Sequence, residues 1–448
     1  MNFYKLNDLF KDVTINSVDW DVADIRIDIP ELSLGSDGIN PHTQYSNPTC
    51  HVVIKGIECC GIGFTLGSGN ELVCSAIKTI LAQLNNISIA ELLVLRGSIQ
   101  RVFSNPKQLR WLGPNSGCVY MAGSVILNTL LDFAAKRAGM PLWELLSISR
   151  TEDLLQWVDN IGYSNLLSCS TMQKCLDKDI AAIEDRIQEL RYQHLPVYHT
   201  TWIGSSPQEL VEEMDLCYQS KGVNIFKLKL PNDLEWSKSR LHDISRLDVS
   251  SYRICVDTNQ TLSLETAREI LPVLDTYKVL WLEEPFAPDN TQLYRVLYEH
   301  IKLENFSTKI STGENCPNAH VAVDLIANEG CHIFQPDACR VMSICDNIPI
   351  LISAYYHGRP IIPHAGGSGL DELVPHLQSF NLCRIDHRTD ISNSLMENVG
   401  FCSHLFDYPT LVKSGRVDPP KHFGYVGGFN YTKFDSTISG EGTIWLKL

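Results

Sequence analysis

Six charged residues recur at the ends of short apolar runs in the C-terminal half of the chain. They are Lys229 in Phe226-Lys227-Leu228-Lys229, Asp257 in Val256-Asp257-Thr258-Asn259-Gln260, and Glu283 in Trp281-Leu282-Glu283-Glu284-Pro285. Glu314 in Thr312-Gly313-Glu314-Asn315, Asp337 in Gln335-Pro336-Asp337 and His364 in Ile361-Ile362-Pro363-His364 complete the series. Successive members stand 28, 26, 31, 23 and 27 residues apart, and Glu397 follows 33 residues later. Each interval is the length of one strand, one helix and two loops. A β/α barrel carries successive strand ends around one pocket, so the series converges on a single site. Three carboxylates there can hold a hard cation, and a lysine and a histidine can move protons. The set reads as an enzyme's.

Asp257, Glu283 and Glu314 offer oxygen ligands only. Such a site suits Mg²⁺, with Mn²⁺ as the alternative, whereas zinc favours His or Cys. Taken singly, each acid reads as a helix cap or an ion-pair partner; three at barrel spacing read as a metal site. Lys227 and Lys229 stand at i, i+2 and face the same way on a strand. Crowded together near a metal, two ammonium groups lower one another's pKa towards that of a general base. Asp337 and His364 lie one βα unit apart, so a carboxylate can fix the imidazole tautomer and leave the other nitrogen as acid or base.

These side chains need strands to carry them. Asn224–Leu230, Tyr252–Val256, Val279–Glu283, Lys309–Gly313, His332–Pro336 and Pro360–Pro363 read as strands. Leu262–Leu274, Thr291–Ile301, Ala319–Ala327 and Ile348–Tyr356 read as the helices between them. Residues from about 16 to 75 are β-rich, with a Gly-rich strand from Gly61 to Leu66, and helical patterns follow from about 70 to 95 and from Ser116 to Leu146. The second stops at Gly139 with Pro141 just beyond. The expectation is an α/β protein: an α+β capping domain over 1–150, a modified (β/α) barrel over 151–409, and a return segment over 410–448 that covers the capping domain.

The chain has 448 residues, 44% hydrophobic and 20% charged, and a net charge of -15. That balance disfavours nucleic acid and anionic membranes as partners, although a bound cation can still reverse the field locally for a small anionic substrate. No stretch reads as a membrane span, signal peptide or Arg-rich transit peptide, so the expectation is an intracellular protein, cytoplasmic first, with a mitochondrial location left open. Fifteen cysteines at scattered spacing, with no Cys-x-x-Cys pair, read as reduced structural thiols. The glycines of 61–69 lack a following Gly-Lys-Ser/Thr, so a hairpin turn is expected there and not a phosphate loop.

In this order Lys-x-Lys, Val-Asp-x-Asn-Gln, Leu-Glu-Glu-Pro, Gly-Glu-Asn, Pro-Asp and Pro-His resemble the mandelate racemase subgroup of the enolase superfamily. More narrowly, Gln108-Leu109-Arg110-Trp111-Leu112-Gly113-Pro114, Trp281–Pro285 and Pro363-His364-Ala365-Gly366-Gly367 are similar to L-fuconate dehydratases. The likeness spans nearly the whole chain, including His42-Thr43-Gln44-Tyr45-Ser46. It implies Mg²⁺ on Asp257, Glu283 and Glu314, Lys229 as base and Lys227 tuning it. It further implies His364 oriented by Asp337, Glu397 hydrogen-bonding the developing enediolate, an acid-sugar substrate and a homo-oligomer. Superfamily sites generally join a Lys or His base to one or two Mg²⁺ ions. Departures fall at Leu230-Pro231, at Arg340-Val341-Met342-Ser343 and at Asn398, where relatives have Gly, Gly and Tyr; they bear on substrate and pocket shape. A racemase or epimerase on the same scaffold, and a non-catalytic binding protein, remain the alternatives.

Overall fold

The computed structural model describes residues 3–15, 20–28, 44–64, 69–84, 87–90, 107–113, 115–158, 163, 165–201, 206–247, 251–387, 394–400, 403–428 and 443–446. His42, Thr43 and residues 65–68 of the expected hairpin lie outside them. In the N-terminal sheet, β1 (Asp21–Asp28) pairs antiparallel with β2 (Gln44–Ile54), and β2 pairs antiparallel with β3 (Ile57–Ile62). Ile54 faces Ile57, leaving Lys55-Gly56 as a two-residue loop with φ of 54° and 79°. Left-handed backbone at both positions matches the strand twist and makes a tight hairpin. The strand after that turn therefore begins at Ile57, ahead of the run expected from Gly61.

Helices α1 (Asn70–Gln83) and α2 (Gly117–Ala138) pack on this sheet. Side chains at 128, 132 and 136, one turn apart on α2, satisfy the open edge of β3. Asn128 Nδ2 donates to Ile62 O at 3.1 Å, Asp132 Oδ2 accepts from Cys60 N at 2.9 Å, and Lys136 Nζ donates to Glu58 O at 2.9 Å. An unpaired strand edge invites association, and here a helix covers it. Gly61 permits the approach, since a Cβ there would lie 2.2 Å from Thr129 Oγ1. The sequence reading overlooked that α2 is long and apolar enough to cross a bilayer; in the fold 89% of its most apolar window is buried.

Four helices, α3 (Leu142–Ile148), α4 (Thr151–Trp157), α5 (Cys169–Leu176) and α6 (Ile183–Tyr192), lead to β4 (Leu195–Thr200). Alternation then runs α7 (Pro207–Lys221), β5 (Ile225–Lys229), α8 (Leu234–Ser245), β6 (Arg253–Asp257), α9 (Leu264–Thr276) and β7 (Trp281–Glu283). It continues with α10 (Thr291–Glu304), β8 (Lys309–Thr312), α11 (Ala319–Ala327), β9 (Ile333–Phe334), α12 (Ser343–Tyr356), α13 (Leu370–Phe380) and β10 (Met396–Glu397). Start signals are local. Ser206 and Glu209 form a capping box with Pro207 in the first turn of α7, satisfying amides that a helix start leaves open. Tyr294, Leu297, Tyr298 and Ile301 make the buried stripe of α10, each worth about 1.5–3 kcal/mol if fully transferred from water.

Strands β4 to β9 lie side by side in parallel, and β10 pairs parallel with β4. The segment expected as a strand at Pro360–Pro363 forms a single bridge, Ile361 with Phe334, but it still closes the ring because Glu397 N donates to Pro363 O at 3.0 Å. Strand β4, which sequence reading did not propose, completes the circle. At its start β11 (Arg416–Val417) pairs antiparallel with it, and β12 (Thr443–Leu446) pairs parallel with β1 in the N-terminal sheet.

Alternation along the barrel strands builds two inward layers. Tyr198, Ile225, Cys255, Trp281, Ile333 and Ile362 form an apolar cluster of their own, separate from the main core. Two residues further along the same segments lie Thr200, Lys227, Asp257, Glu283, Gln335 and His364, all buried. Phe226, Leu228, Val256, Leu282 and Phe334, between them, belong to the outer core against the helices.

Candidate active site

Strand register brings the carboxylates together. Lys229 pairs with Asp257, Asp257 with Glu283, and Glu283 with Ser311, beyond which Glu314 follows on the loop. One oxygen from each of Asp257, Glu283 and Glu314 lies within 4.8 Å of the others, all buried. Their donor set fits a hard divalent cation, and Glu314 Oε2 is a buried acceptor with no hydrogen bond. All eight site residues expected from the sequence, Lys227, Lys229, Asp257, Glu283, Glu314, Asp337, His364 and Glu397, meet at this end of the barrel.

Lys227 Nζ sits among carboxylates: 2.6 Å from Glu283 Oε1, 2.9 Å from Glu397 Oε1, 3.5 Å from Asp257 Oδ2 and 3.9 Å from Glu314 Oε2. Lys229 Nζ donates to Asp257 Oδ2 at 2.5 Å. The expectation of depressed lysine pKa values meets an opposing field here. Burial does pull both down, but Glu283 and Glu397 around Lys227, and Asp257 beside Lys229, more than offset it and hold both ammonium groups charged. The carboxylates differ among themselves. Burial and the neighbouring acids push Glu283 well above its ordinary range, while His364 and Arg340 keep Glu314 ionised despite its burial.

His364 Nδ1 lies 2.8 Å from Asp337 Oδ2, and the Gly366 N–H donates to Nε2 at 3.1 Å. In the neutral ring these bonds place the single proton on Nδ1. Nε2 also lies 3.2 Å from Glu314 Oε2, the partner for a proton taken up there. Asp337 is held in turn by the N–H groups of Cys339 at 2.5 Å and Arg340 at 2.7 Å. Burial raises its pKa, but the His364 hydrogen bond and Arg340 bring it below the ordinary value. Glu397 bonds Thr200 Oγ1 and accepts from Ala365 N at 3.0 Å. Against burial, Lys227 and His364 lower its pKa to about 2, so Glu397 stands as a carboxylate and not as a protonated donor.

Sequence reasoning missed a belt behind these groups. Gln260 Nε2 and Asn315 Nδ2 donate to Glu284 Oε2 at 3.1 and 2.8 Å, and Arg340 Nη1 reaches Asn315 Oδ1 at 3.4 Å. It therefore joins the loops after β6, β7, β8 and β9. Glu284 adopts φ 42°, and Asn259 and Gln260 adopt 46° and 65°, unusual left-handed backbone for such residues. Polar residues directly after each ligand were the available signal. From below, Trp281 Nε1 and Gln335 Nε2 donate to Glu283 Oε2 at 3.1 and 2.7 Å. In the stretch Arg340–Ser343, Ser343 has φ 50° and its hydroxyl donates to Asn128 Oδ1 at 2.6 Å.

Residues 209–426 match the model of the enolase C-terminal domain-like family. Human mitochondrial enolase superfamily member 1 is 30% identical over 437 residues, covering 95% of this chain and 96% of that protein. Its crystal structure superposes with a TM-score of 0.86 at 28% identity, covering 92% and 94% of the two chains. L-galactonate dehydratase of Hypocrea jecorina is 27% identical, covering 90% and 89%. The fold is also that of L-talarate/galactarate dehydratase from Salmonella typhimurium LT2 liganded with Mg and L-lyxarohydroxamate, at a TM-score of 0.69 and 19% identity over 93% and 91% of the chains. On this likeness along nearly its whole length, the chain belongs to the enolase superfamily.

Proposed function

We propose that the protein is a Mg²⁺-dependent acid-sugar dehydratase, with L-fuconate as the substrate to try first. The observation that carries this reading is the buried Asp257, Glu283 and Glu314 triad with Lys229 and His364 on either side of it. Relatives named as acid-sugar dehydratases support the reaction class. When bound on the triad, Mg²⁺ supplies fixed positive charge where the substrate carboxylate gains electron density.

Were Asp257 to hold the cation, Lys229 would lose its ion-pair partner, the condition in which an amine accepts a proton. Lys229 Nζ then removes the proton from the carbon beside the substrate carboxylate. Lys227, cationic and aligned with it on β5, stabilises the negative charge that develops on the carboxylate oxygens. His364, protonated at Nε2 and held at Nδ1 by Asp337, gives that proton to the departing hydroxyl on the next carbon. The C–O bond breaks, water leaves, and the enol tautomerises to a 2-keto-3-deoxy acid. Glu397, as a carboxylate, orients Lys227 and faces His364 Nε2 at 3.7 Å.

Purified protein with Mg²⁺ should release 2-keto-3-deoxy acid from L-fuconate or another aldonic acid in a panel that also contains aldaric acids. The reading fails if no acid yields keto acid and none exchanges its α-proton in D₂O. Deuterated epimer without keto acid would instead establish a racemase.

A further inference from the structure

Arg340 is a nine-tenths buried cation beside the triad that the chemistry above leaves without a task. Among the described residues Nη1 makes every hydrogen bond of the side chain: 3.1 Å to Glu314 Oε1, 3.3 Å to Glu314 O and 3.4 Å to Asn315 Oδ1. The guanidinium lies over the Phe64 ring, 5.4 Å from its centroid, and the backbone N–H is held by Asp337. Position and plane are thus fixed from three sides. Nε and Nη2 have no hydrogen-bond partner among the described residues, and neither is among the buried unpaired polar atoms. A rigid cation with two open donors on one edge is the fork that takes two oxygens side by side.

We propose that this free edge of Arg340 binds oxygens at the far end of the acid sugar, making Arg340 a specificity-determining residue. The inference rests on the acid-sugar reading and extends it. The α-hydroxy carboxylate belongs with the triad and Lys227, whereas Arg340 contacts Glu314, the most exposed of the three acids, and lies against Phe64 on the side away from Asp257 and Glu283. Two oxygens from one ligand chemistry can come from two sources, a terminal carboxylate in aldaric acids or neighbouring hydroxyls in aldonic acids.

Steady-state kinetics and calorimetric binding of aldonic acids, aldaric acids and lactate, which has no oxygen beyond the α-hydroxy carboxylate, test this in the wild type and in Arg340→Lys and Arg340→Gln. The expected result is a rise in KM and in the dissociation constant of about 10–100-fold for full-length acids, as for lost charge-assisted hydrogen bonds, with lactate binding weakened by no more than the Mg²⁺ affinity is. A loss confined to aldaric acids assigns the terminal carboxylate, and one confined to aldonic acids the hydroxyls. The Mg²⁺ dissociation constant should move by less than the roughly tenfold that losing a ligand-orienting group costs. Equal losses for lactate and full-length acids, or Mg²⁺ affinity falling in step, would overturn the proposal and leave Arg340 a support for Glu314. If the wild type turns over nothing, the dehydratase reading fails by itself; binding of the acids, weakened or not by Arg340→Lys, still decides this one, and absence of binding to the wild type overturns it.

Discussion

Ile225 and Lys227 are neighbours on one face of one strand, and so are Cys255 and Asp257, and Trp281 and Glu283; Ile333 and Gln335, on β9 and its continuation, and Ile362 and His364, on the bridged segment at 360–364, stand two residues apart in the same way. The first of each pair belongs to an apolar floor, the second to a polar layer above it. The backbone is the same in both; only the side chains change. The floor keeps water from reaching the charges from below, which strengthens every ionic contact in the layer above. The price of that arrangement is that each charge needs a partner, and Lys227 with carboxylates on four sides shows how closely the need is met. Among the described residues two hydrogen bonds join the layers, Trp281 to Glu283 and Gln335 to Tyr198 Oη at 3.4 Å; elsewhere one layer can be altered without the other.

Removing a charged group from the polar end of the barrel, in the upper layer or just beyond it on β5, should damage turnover far more than folding. Lys229→Ala is expected to lower kcat by at least about 10²–10⁴, the range for a general base, while circular dichroism stays native; a loss under tenfold sinks its role. Ile225→Ala should do the reverse. Deleting a buried isoleucine costs about 2–5 kcal/mol, read as a lower denaturation midpoint, and kcat per folded molecule should change less than its stability does. Equal damage to both would mean that the layers are not separable.

Trp281→Phe crosses between them. It takes one of the two donors from Glu283 Oε2 and leaves Gln335. Stability should fall by roughly 1 kcal/mol, and Mg²⁺ should bind about tenfold more weakly by calorimetry. Unchanged Mg²⁺ affinity would show that the floor supports the fold alone.

A pH-dependent effect concerns charge beside the floor. His332 Nδ1 accepts the Ile310 N–H at 3.1 Å, a bond that a protonated ring cannot accept. Burial, followed by the charges of Lys309 and Arg359, lowers its pKa from 6.5 to about 3. The folded state thus refuses a proton that the unfolded chain takes. Stability from this group is whole above pH 6.5 and declines as pH falls towards 3, at up to about 1.4 kcal/mol per pH unit. His332→Gln should make the decline between pH 7 and 4 shallower in denaturant titrations; parallel curves would remove His332 from the account.

Much of the site was legible because charges at strand ends are costly anywhere but in a shared, solvated or ion-binding centre. Asp257, Glu283 and Glu314 stood out by spacing, as did Lys229 and His364. Strand β4 was not legible: Leu195-Pro196-Val197-Tyr198-His199-Thr200 carries no acid or lysine, and its inward Thr200 looks like any threonine. The segment at 360–364 misled in the other direction, since Pro360 and Pro363 lack the N–H groups a ladder needs and only Ile361 forms a bridge. Glu284, Asn315, Gln260 and Arg340 were visible as polar neighbours of the ligands, but their mutual bonds join loops from four different strands.

The sequence alone determined the family, the alternation of strand and helix, and which residues share a strand face, because periodicity and spacing are local properties. Tertiary structure decided the electrostatics. Whether Lys227 and Lys229 are pulled down by burial or held up by carboxylates depends on distances between strands that no single segment encodes. The same holds for Glu397, ionised because Lys227 and His364 face it, and for Arg340, whose free edge exists only because Glu314, Asn315 and Phe64 arrive from elsewhere to hold the rest of it. Charge interactions act through space, and only the closed ring brings these groups within reach of one another.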